Sequence, residues 1–204
     1  ALTLALAADT GTAGDYLTNN TTINVGAVES GATWEYSTNS GTNWTAGTGS
    51  SFTLGEGSYA AGVVRVRQTD AAGNVGNVTQ NAQAWTVDTT GPTISTVAIT
   101  SATGAQSSTL NEGDVVTATV TFGEAVTVTG TPTLTLTIGS TPVVANYASG
   151  NGTNALTFTY TVLASQTDTD GISIGANALS LNGGTILDAV GNNATLTHAA
   201  VTNN

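Results

Sequence analysis

The sequence predicts an all-β protein of two tandem β-sandwich domains, end to end, and three observations carry that expectation. Short apolar or alternating runs recur between Gly/Asn/Ser clusters about every 8–12 residues, the spacing of sandwich strands. No stretch sustains an apolar period of about 3.6, so almost no helix is expected. One loop is written twice: Asp70-Ala-Ala-Gly-Asn74 recurs as Asp188-Ala-Val-Gly-Asn192, each copy after an apolar strand and before the last strand of its unit. Between the copies, Val87-Asp-Thr-Thr-Gly-Pro92 holds a Gly-Pro break, and Pro92 fixes an extended start for the next strand. The domains are placed at residues 1–87 and 88–204.

In the first domain strands are expected at Leu2–Ala7, Thr22–Val28, Thr33–Thr38, around Trp44, at Ser51–Leu54, at Ala61–Gln68 and within Val78–Val87. In the second they are expected at Thr93–Thr100, Val115–Phe122, Thr133–Ile138, Val143–Ala148 and Leu156–Val162, within Ile172–Leu187, and at Thr195–Val201. Seven strands per unit fit an immunoglobulin-like sandwich. Trp34 and Trp44 flank the turn Asn39-Ser40-Gly41 and read as core or cross-strand aromatics, with a sugar-stacking platform as the alternative. Arg65 and Arg67 stand two apart, so they share one face while Val64 and Val66 point to the core. The two arginines are expected to pair with carboxylates or to cover the sheet with their stems.

Composition narrows the function classes. Charged residues make up 7% of the chain, against about 25% in an average domain, so solubility falls to Thr, Ser, Asn and Gly. There is no Cys, so no disulfide can staple the fold; the core, a bound metal or both must hold it. Two Lys plus Arg against 13 Asp plus Glu give a net charge of −11. Nucleic acid needs a basic patch and is a poor partner; an anionic membrane surface is excluded on the same ground. No run reaches the roughly 18 apolar residues of a membrane span. Ala1–Ala8 is apolar but lacks a basic start and reads as a strand, and the chain reads as an internal piece of a longer one. The partner that such a charge balance suits is a cation, and hard oxygen ligands suit Ca²⁺. The alternative is that the acids only keep the protein soluble.

The acids fall between strands, with Glu35 the one clearly inside. In an immunoglobulin-like sandwich, Asp9, Asp15 and Glu56 would gather at one pole of the first domain beside Asp88. Glu124, Asp188 and Asn192 would gather at the facing pole of the second, beside the same residue. Asp70 and Asn74 with Glu29, and Glu112, Asp114, Asp168 and Asp170, would repeat the pattern at the free ends. The candidate ligands are therefore Asp9, Asp15, Glu56, Asp70, Asn74, Asp88, Asp114, Glu124, Asp168, Asp170, Asp188 and Asn192. Ca²⁺ takes 6–8 oxygens from carboxylates, amides, carbonyls and water. Asp168-Thr-Asp170-Gly171 has the D-x-D-G form of many calcium loops but lacks the later ligands of an EF-hand, and an ordinary turn favours the same residues. Several carboxylates within about 5 Å would repel by kilocalories per mole. A divalent ion reverses that sign and would turn a flexible linker into a stiff one.

These motifs carry a resemblance. Trp34-Glu-Tyr-Ser-Thr38, Gly41-x-x-Trp44, Val64-Arg-Val-Arg-Gln-Thr-Asp-Ala-Ala-Gly-Asn74 and Asp9-Thr-Gly11 with Asp15 resemble bacterial immunoglobulin-like repeats of giant RTX-type biofilm adhesins. Val87-Asp-Thr-Thr-Gly-Pro92 resembles their inter-repeat linker. Gly113-Asp114, Phe122-Gly-Glu124, Gly130-Thr-Pro132-x-Leu134 and Asp168-x-Asp170-Gly171 are similar to a longer repeat of the same proteins. The resemblance implies a Gram-negative parent, exported by a type I system and anchored at the outer membrane. It implies a monomeric extracellular chain whose partners are neighbouring repeats, stiffened by calcium to project a distal binding region. A copy of the Asp-Thr-Thr-x-Pro linker is expected before Ala1.

The alternative is a module that binds a peptide, a glycan or ice directly, resting on the Ala145–Asn154 segment with Tyr147 and its Ser149-Gly-Asn-Gly-Thr-Asn154 loop. An enzyme is not expected. His198 is the one histidine and reads as a surface or packing residue, no nucleophile motif accompanies it, and the acids form no obvious paired-carboxylate cleft. The Asn43-Trp-Thr45 sequon carries no weight in a bacterial protein.

Overall fold

A computed structural model describes residues 1–106 and 109–202. It is all-β, with several sheets and no helix among the described residues. The chain divides into two compact units, Ala1–Thr90 and Gly91–Asn204.

The first unit is built from ten short strands: β1 (Thr3–Leu6), β2 (Leu17–Thr18), β3 (Thr22–Gly26), β4 (Thr33–Ser37), β5 (Thr45–Ala46), β6 (Ser51–Thr53), β7 (Gly57–Tyr59), β8 (Arg65–Thr69), β9 (Thr79–Gln80) and β10 (Trp85–Val87). They form sheets of order β1-β3-β6, β2-β10-β7 and β5-β4-β8-β9. Alternation sets which residues face inward: Ile23 and Val25 on β3 and Val66 and Gln68 on β8 are buried while their neighbours are not. Side chains from all three sheets meet in one core, including Ile23, Trp34, Phe52, Val66 and Trp85, a packing consistent with a β-sandwich. Tyr36 of β4 stacks on Phe52 of β6 with ring centroids 4.2 Å apart. Trp34 lies so close to Gly47 that a Cβ there would stand 2.3 Å from the ring, and its indole N–H donates to the Gly49 carbonyl at 3.1 Å.

Several expectations need correction. The expected Ala61–Gln68 strand is ordered only as Arg65–Thr69, because residues 61–63 form a turn. The single last strand is two, β9 and β10, split by buried Asn81. That amide donates to the Ala60 carbonyl at 2.9 Å and the Gln83 carbonyl at 2.7 Å and accepts the Val64 N–H at 2.9 Å. It satisfies backbone groups where the ladder is interrupted. The short strands β2 and β7 were not foreseen. β2 runs parallel to β10 and pairs Leu17 with Thr86 and Thr18 with Val87; buried Thr18 secures it by donating its hydroxyl to the Ala8 carbonyl at 2.9 Å.

The second unit holds β11 (Ile94–Thr103), β12 (Val115–Thr129), β13 (Thr133–Ile138), β14 (Thr141–Ser149), β15 (Thr153–Thr161), β16 (Ser173–Ser180) and β17 (Thr185–Leu187). The main sheet runs β11-β12-β15-β14-β13-β16, and β17 pairs with β12. Strict alternation of Thr with Leu, Ile, Val and Phe on β12, β13 and β15 puts Val116, Val120, Leu134, Leu136, Leu156 and Phe158 into one core and leaves Thr half-buried on the other face.

Here too the structure differs from expectation. β12 does not stop at Phe122 but continues to Thr129. Its pairing with β15 is interrupted between Thr121 and Val126, and its second part pairs Thr127–Thr129 with β17. The region Ile172–Leu187 holds two strands, β16 and β17. The expected Thr195–Val201 strand is not a ladder strand; it makes single bridges, Thr195 to Thr93 and Val201 to Ile174. The expected strand Val143–Ala148 lies within β14, and the loop after it is short. β14 runs to Ser149 and β15 begins at Thr153, joined by a tight turn in which Gly150 takes φ +111° and the Ala155 carbonyl occupies the space that a Cβ would need. Tyr147 meets Phe158 edge-on at 5.9 Å.

Phe158→Ala removes a fully buried ring and is expected to destabilise the second unit by about 3–5 kcal/mol, whereas Val144→Ala on the exposed face stays within about 0.5 kcal/mol. Gly47→Ala, which overpacks Trp34, is expected to destabilise the first unit by about 1–3 kcal/mol. Urea denaturation followed by circular dichroism measures all three, and a Gly47→Ala curve that overlays the parent would refute the close-packing account.

Candidate functional site

The twice-written loop folds the same way twice. In the first copy Asp70 Oδ1 accepts the backbone N–H groups of Ala72 at 2.9 Å and Asn74 at 2.8 Å, and Oδ2 accepts the Asn74 side-chain amide at 2.9 Å. In the second, Asp188 Oδ1 accepts the N–H groups of Val190 at 2.9 Å, Gly191 at 2.7 Å and Asn192 at 2.8 Å, and Oδ2 accepts the Asn192 amide at 2.7 Å. Both loops close with a backbone bond from the Asp N–H to the Asn carbonyl. The Asp and Asn of each pair are therefore bonded to one another, which the spacing alone did not reveal. A carboxylate offers about four lone-pair directions. Oδ1 of Asp188 is filled by three N–H donors, so Oδ2 is the atom with room for a cation. The Asn amide nitrogens are turned inward, so only their oxygens can serve as ligands. The two copies differ in environment: Asp188 is 4% exposed, while Asp70 sits in an exposed loop.

The other candidates are also engaged locally. Asp9 Oδ2 accepts the Gly14 N–H at 2.7 Å, but its Oδ1 is enclosed and has no hydrogen-bond partner. Asp15 Oδ1 accepts the Leu17 N–H at 2.9 Å and so starts β2. Glu56 Oε2 accepts the hydroxyls of Thr89 at 2.8 Å and Thr90 at 2.7 Å, two residues the sequence reading passed over because hydroxyls in a Thr-rich chain stand out in no way. Asp88 Oδ1 accepts the Thr90 N–H at 3.1 Å, and its own N–H donates to the Thr18 carbonyl at 2.8 Å. Asp114 Oδ2 accepts the Asn111 N–H at 2.6 Å. Asp168 Oδ1 accepts the N–H groups of Asp170 at 3.1 Å and Gly171 at 3.0 Å, the turn that the D-x-D-G pattern predicts.

Within the second unit, the structure brings Glu124 and Asp188 together: each offers a carboxylate oxygen within 4.8 Å of the other. Glu124 is not in a loop after its strand; it lies within β12 at the break in pairing with β15. Two negative charges at that separation, one exposed and one buried, make a hard-oxygen donor pair of the kind Ca²⁺ prefers. In the first unit Asp9 suits a cation of its own, because an enclosed carboxylate oxygen without a donor is costly.

The chain's two arginines both stand on β8. On the outer face of β4 and β8, Arg67 bonds Glu35 at 2.8 Å and stacks over the Trp44 ring at 4.1 Å from its centroid. Arg65 donates Nε–H to the Gly62 carbonyl at 2.7 Å. Trp34 is core, and Trp44 is covered by a guanidinium rather than open for a sugar.

The local bonds hold three carboxyls below their usual range: Glu56 through the hydroxyls of Thr90 and then Thr89, Asp70 through the side-chain amide and backbone N–H of Asn74, and Asp168 through the Gly139 N–H, with smaller help from Asp170 and Gly171. Each is lowered from 4.5 for Glu56 or 3.8 for the two aspartates. The stabilisation is therefore complete above those values and is lost as pH falls through the lower folded-state values. The urea midpoint is expected to fall once pH drops below about 4, and Asp70→Asn to shrink that fall for the first unit; an acid limb identical in parent and variant would refute the assignment for Asp70. At neutral pH, Asp188→Ala strips four donors of their acceptor at a buried site and is expected to cost about 2–4 kcal/mol, more than Asp70→Ala. No family model and no curated protein matches this chain, so its chemistry rests on the residues themselves.

Proposed function

We propose that the chain is a calcium-rigidified extender module of a bacterial cell-surface adhesin, made of two tandem immunoglobulin-like sandwich repeats that project a distal ligand-binding region for adhesion or biofilm formation. In this reading it works outside the cell, as a monomeric piece of an outer-membrane-anchored parent, with neighbouring repeats as its partners and no catalytic role.

The observation that carries the reading is the pairing of Glu124 with buried Asp188, whose Oδ1 is saturated by backbone donors and whose Oδ2 has room for an ion. Asp88 stands in the linker sequence Val87–Pro92. Calcium bound by these carboxylates is the proposed source of stiffening. The enclosed Asp9 oxygen supports a second ion in the first repeat. The alternative, direct binding of a peptide, a glycan or ice, would use the Ala145–Asn154 segment as a hairpin in which Tyr147 packs against Phe158.

An ion present at 100 times its Kd stabilises the state that binds it by about 2.7 kcal/mol, on the order of 10 °C in Tm for a domain of this size. Thermal unfolding and small-angle X-ray scattering in calcium and in chelator are expected to show that rise together with a longer, stiffer particle. Glu124→Gln is expected to lose most of both. Equal Tm and equal scattering in calcium and chelator would leave the carboxylates as solubilising groups and end the proposal.

A further inference from the structure

The segment 195–201 lies where a last strand was expected, yet it is not a regular ladder strand, and one of its bonds to β16 passes through an imidazole. Asn177 donates its N–H to the His198 carbonyl at 3.2 Å, and the His198 N–H donates to Asn177 Oδ1 at 2.9 Å. Ala178 N–H donates to His198 Nε2 at 2.8 Å, and His198 Nδ1 stands 2.7 Å from the Ala199 carbonyl. Three residues on, Ile174 and Val201 exchange both backbone bonds at 2.8 Å.

These contacts fix the ring's protonation. A carbonyl can only accept, so Nδ1 carries the hydrogen. A backbone N–H can only donate, so Nε2 carries a lone pair. The imidazole is neutral in this arrangement. A second proton must go to Nε2, where it removes the acceptor and sets two N–H groups against each other. Among the described residues, the elements around the ring supply no charged side chain. β16, the strand β13 that pairs with it, β11 beside the segment, and the described part of the segment itself contain no Asp, Glu, Lys or Arg. Histidine is the side chain whose ordinary titration falls between about pH 5 and 8, and this chain has one.

We propose that His198 is a pH-sensitive fastener: neutral, it binds the segment 195–201 to β16, and protonation loosens that seam while the cores stay folded. Its charge change is local and needs no metal, so it stands apart from the calcium reading.

The test is amide hydrogen exchange of the whole chain at pH 7.5 and pH 5.0, corrected for the intrinsic pH dependence of exchange. Protection at Asn177 and Ala178 is expected to fall about tenfold on acidification, with core amides such as Val120 and Leu136 unchanged. His198→Gln keeps a neutral acceptor at both pH values and is expected to flatten the difference. Imidazole ¹⁵N resonances of the parent protein are expected to show the Nδ1–H form at pH 7.5, a readout that stands even where the variant does not fold. Unchanged protection in the parent, an equal fall in His198→Gln, or an Nε2–H ring would each overturn the proposal.

Discussion

Hydrogen bonding from short side chains to the chain's own backbone is what the rest of this structure depends on. A protein with no cysteine and 7% charged residues has neither disulfides nor surface ion-pair networks to hold its connections, and buried backbone groups must still be paired. Asp70 and Asp188 tie their loops, Thr18 holds β2, Asn81 bridges the gap between β9 and β10, and Asp15 starts β2. Each replaces a ladder bond where the ladder stops. The apolar cores can then be assembled from short strands, because the turns between them are closed locally.

Much of the fold was legible because period-2 alternation is written plainly. Thr133–Ile138 has the bounds given by its Thr-Leu repeat, and Ser51, Thr22 and Thr33 start strands where the pattern begins. What was not legible depended on single polar residues acting at a distance along the chain. Asn81 looks like any loop asparagine until Val64, Ala60 and Gln83 are brought around it. β2 is two residues long, too short for any period, and exists because β10 offers it an edge. The second strand of the second unit was expected to end at Phe122 with Glu124 after it, whereas β12 carries Gly123 and Glu124 through to a second partner, β17.

The candidate site was legible in composition more than in geometry. In a chain with so few charged residues, charge alone marks the acids. Spacing could not show that the repeated Asp and Asn face one another, nor that Asp188 is buried while Asp70 is not. The difference between the two loops comes from what packs around them, which neither five-residue motif encodes. His198 had no pattern to betray it; its importance comes from two neighbours of opposite hydrogen-bonding sense.

The parallel pairing of β2 with β10 has a mechanical consequence. β2 follows β1 and its loop, and β10 closes the first unit, so tension applied between residue 16 and residue 88 would draw the two strands past each other. Their pairs, Leu17 with Thr86 and Thr18 with Val87, then bear load together in shear instead of opening one at a time like a zip. Under that load the buried hydroxyl of Thr18 braces the two-residue patch by its bond to the Ala8 carbonyl.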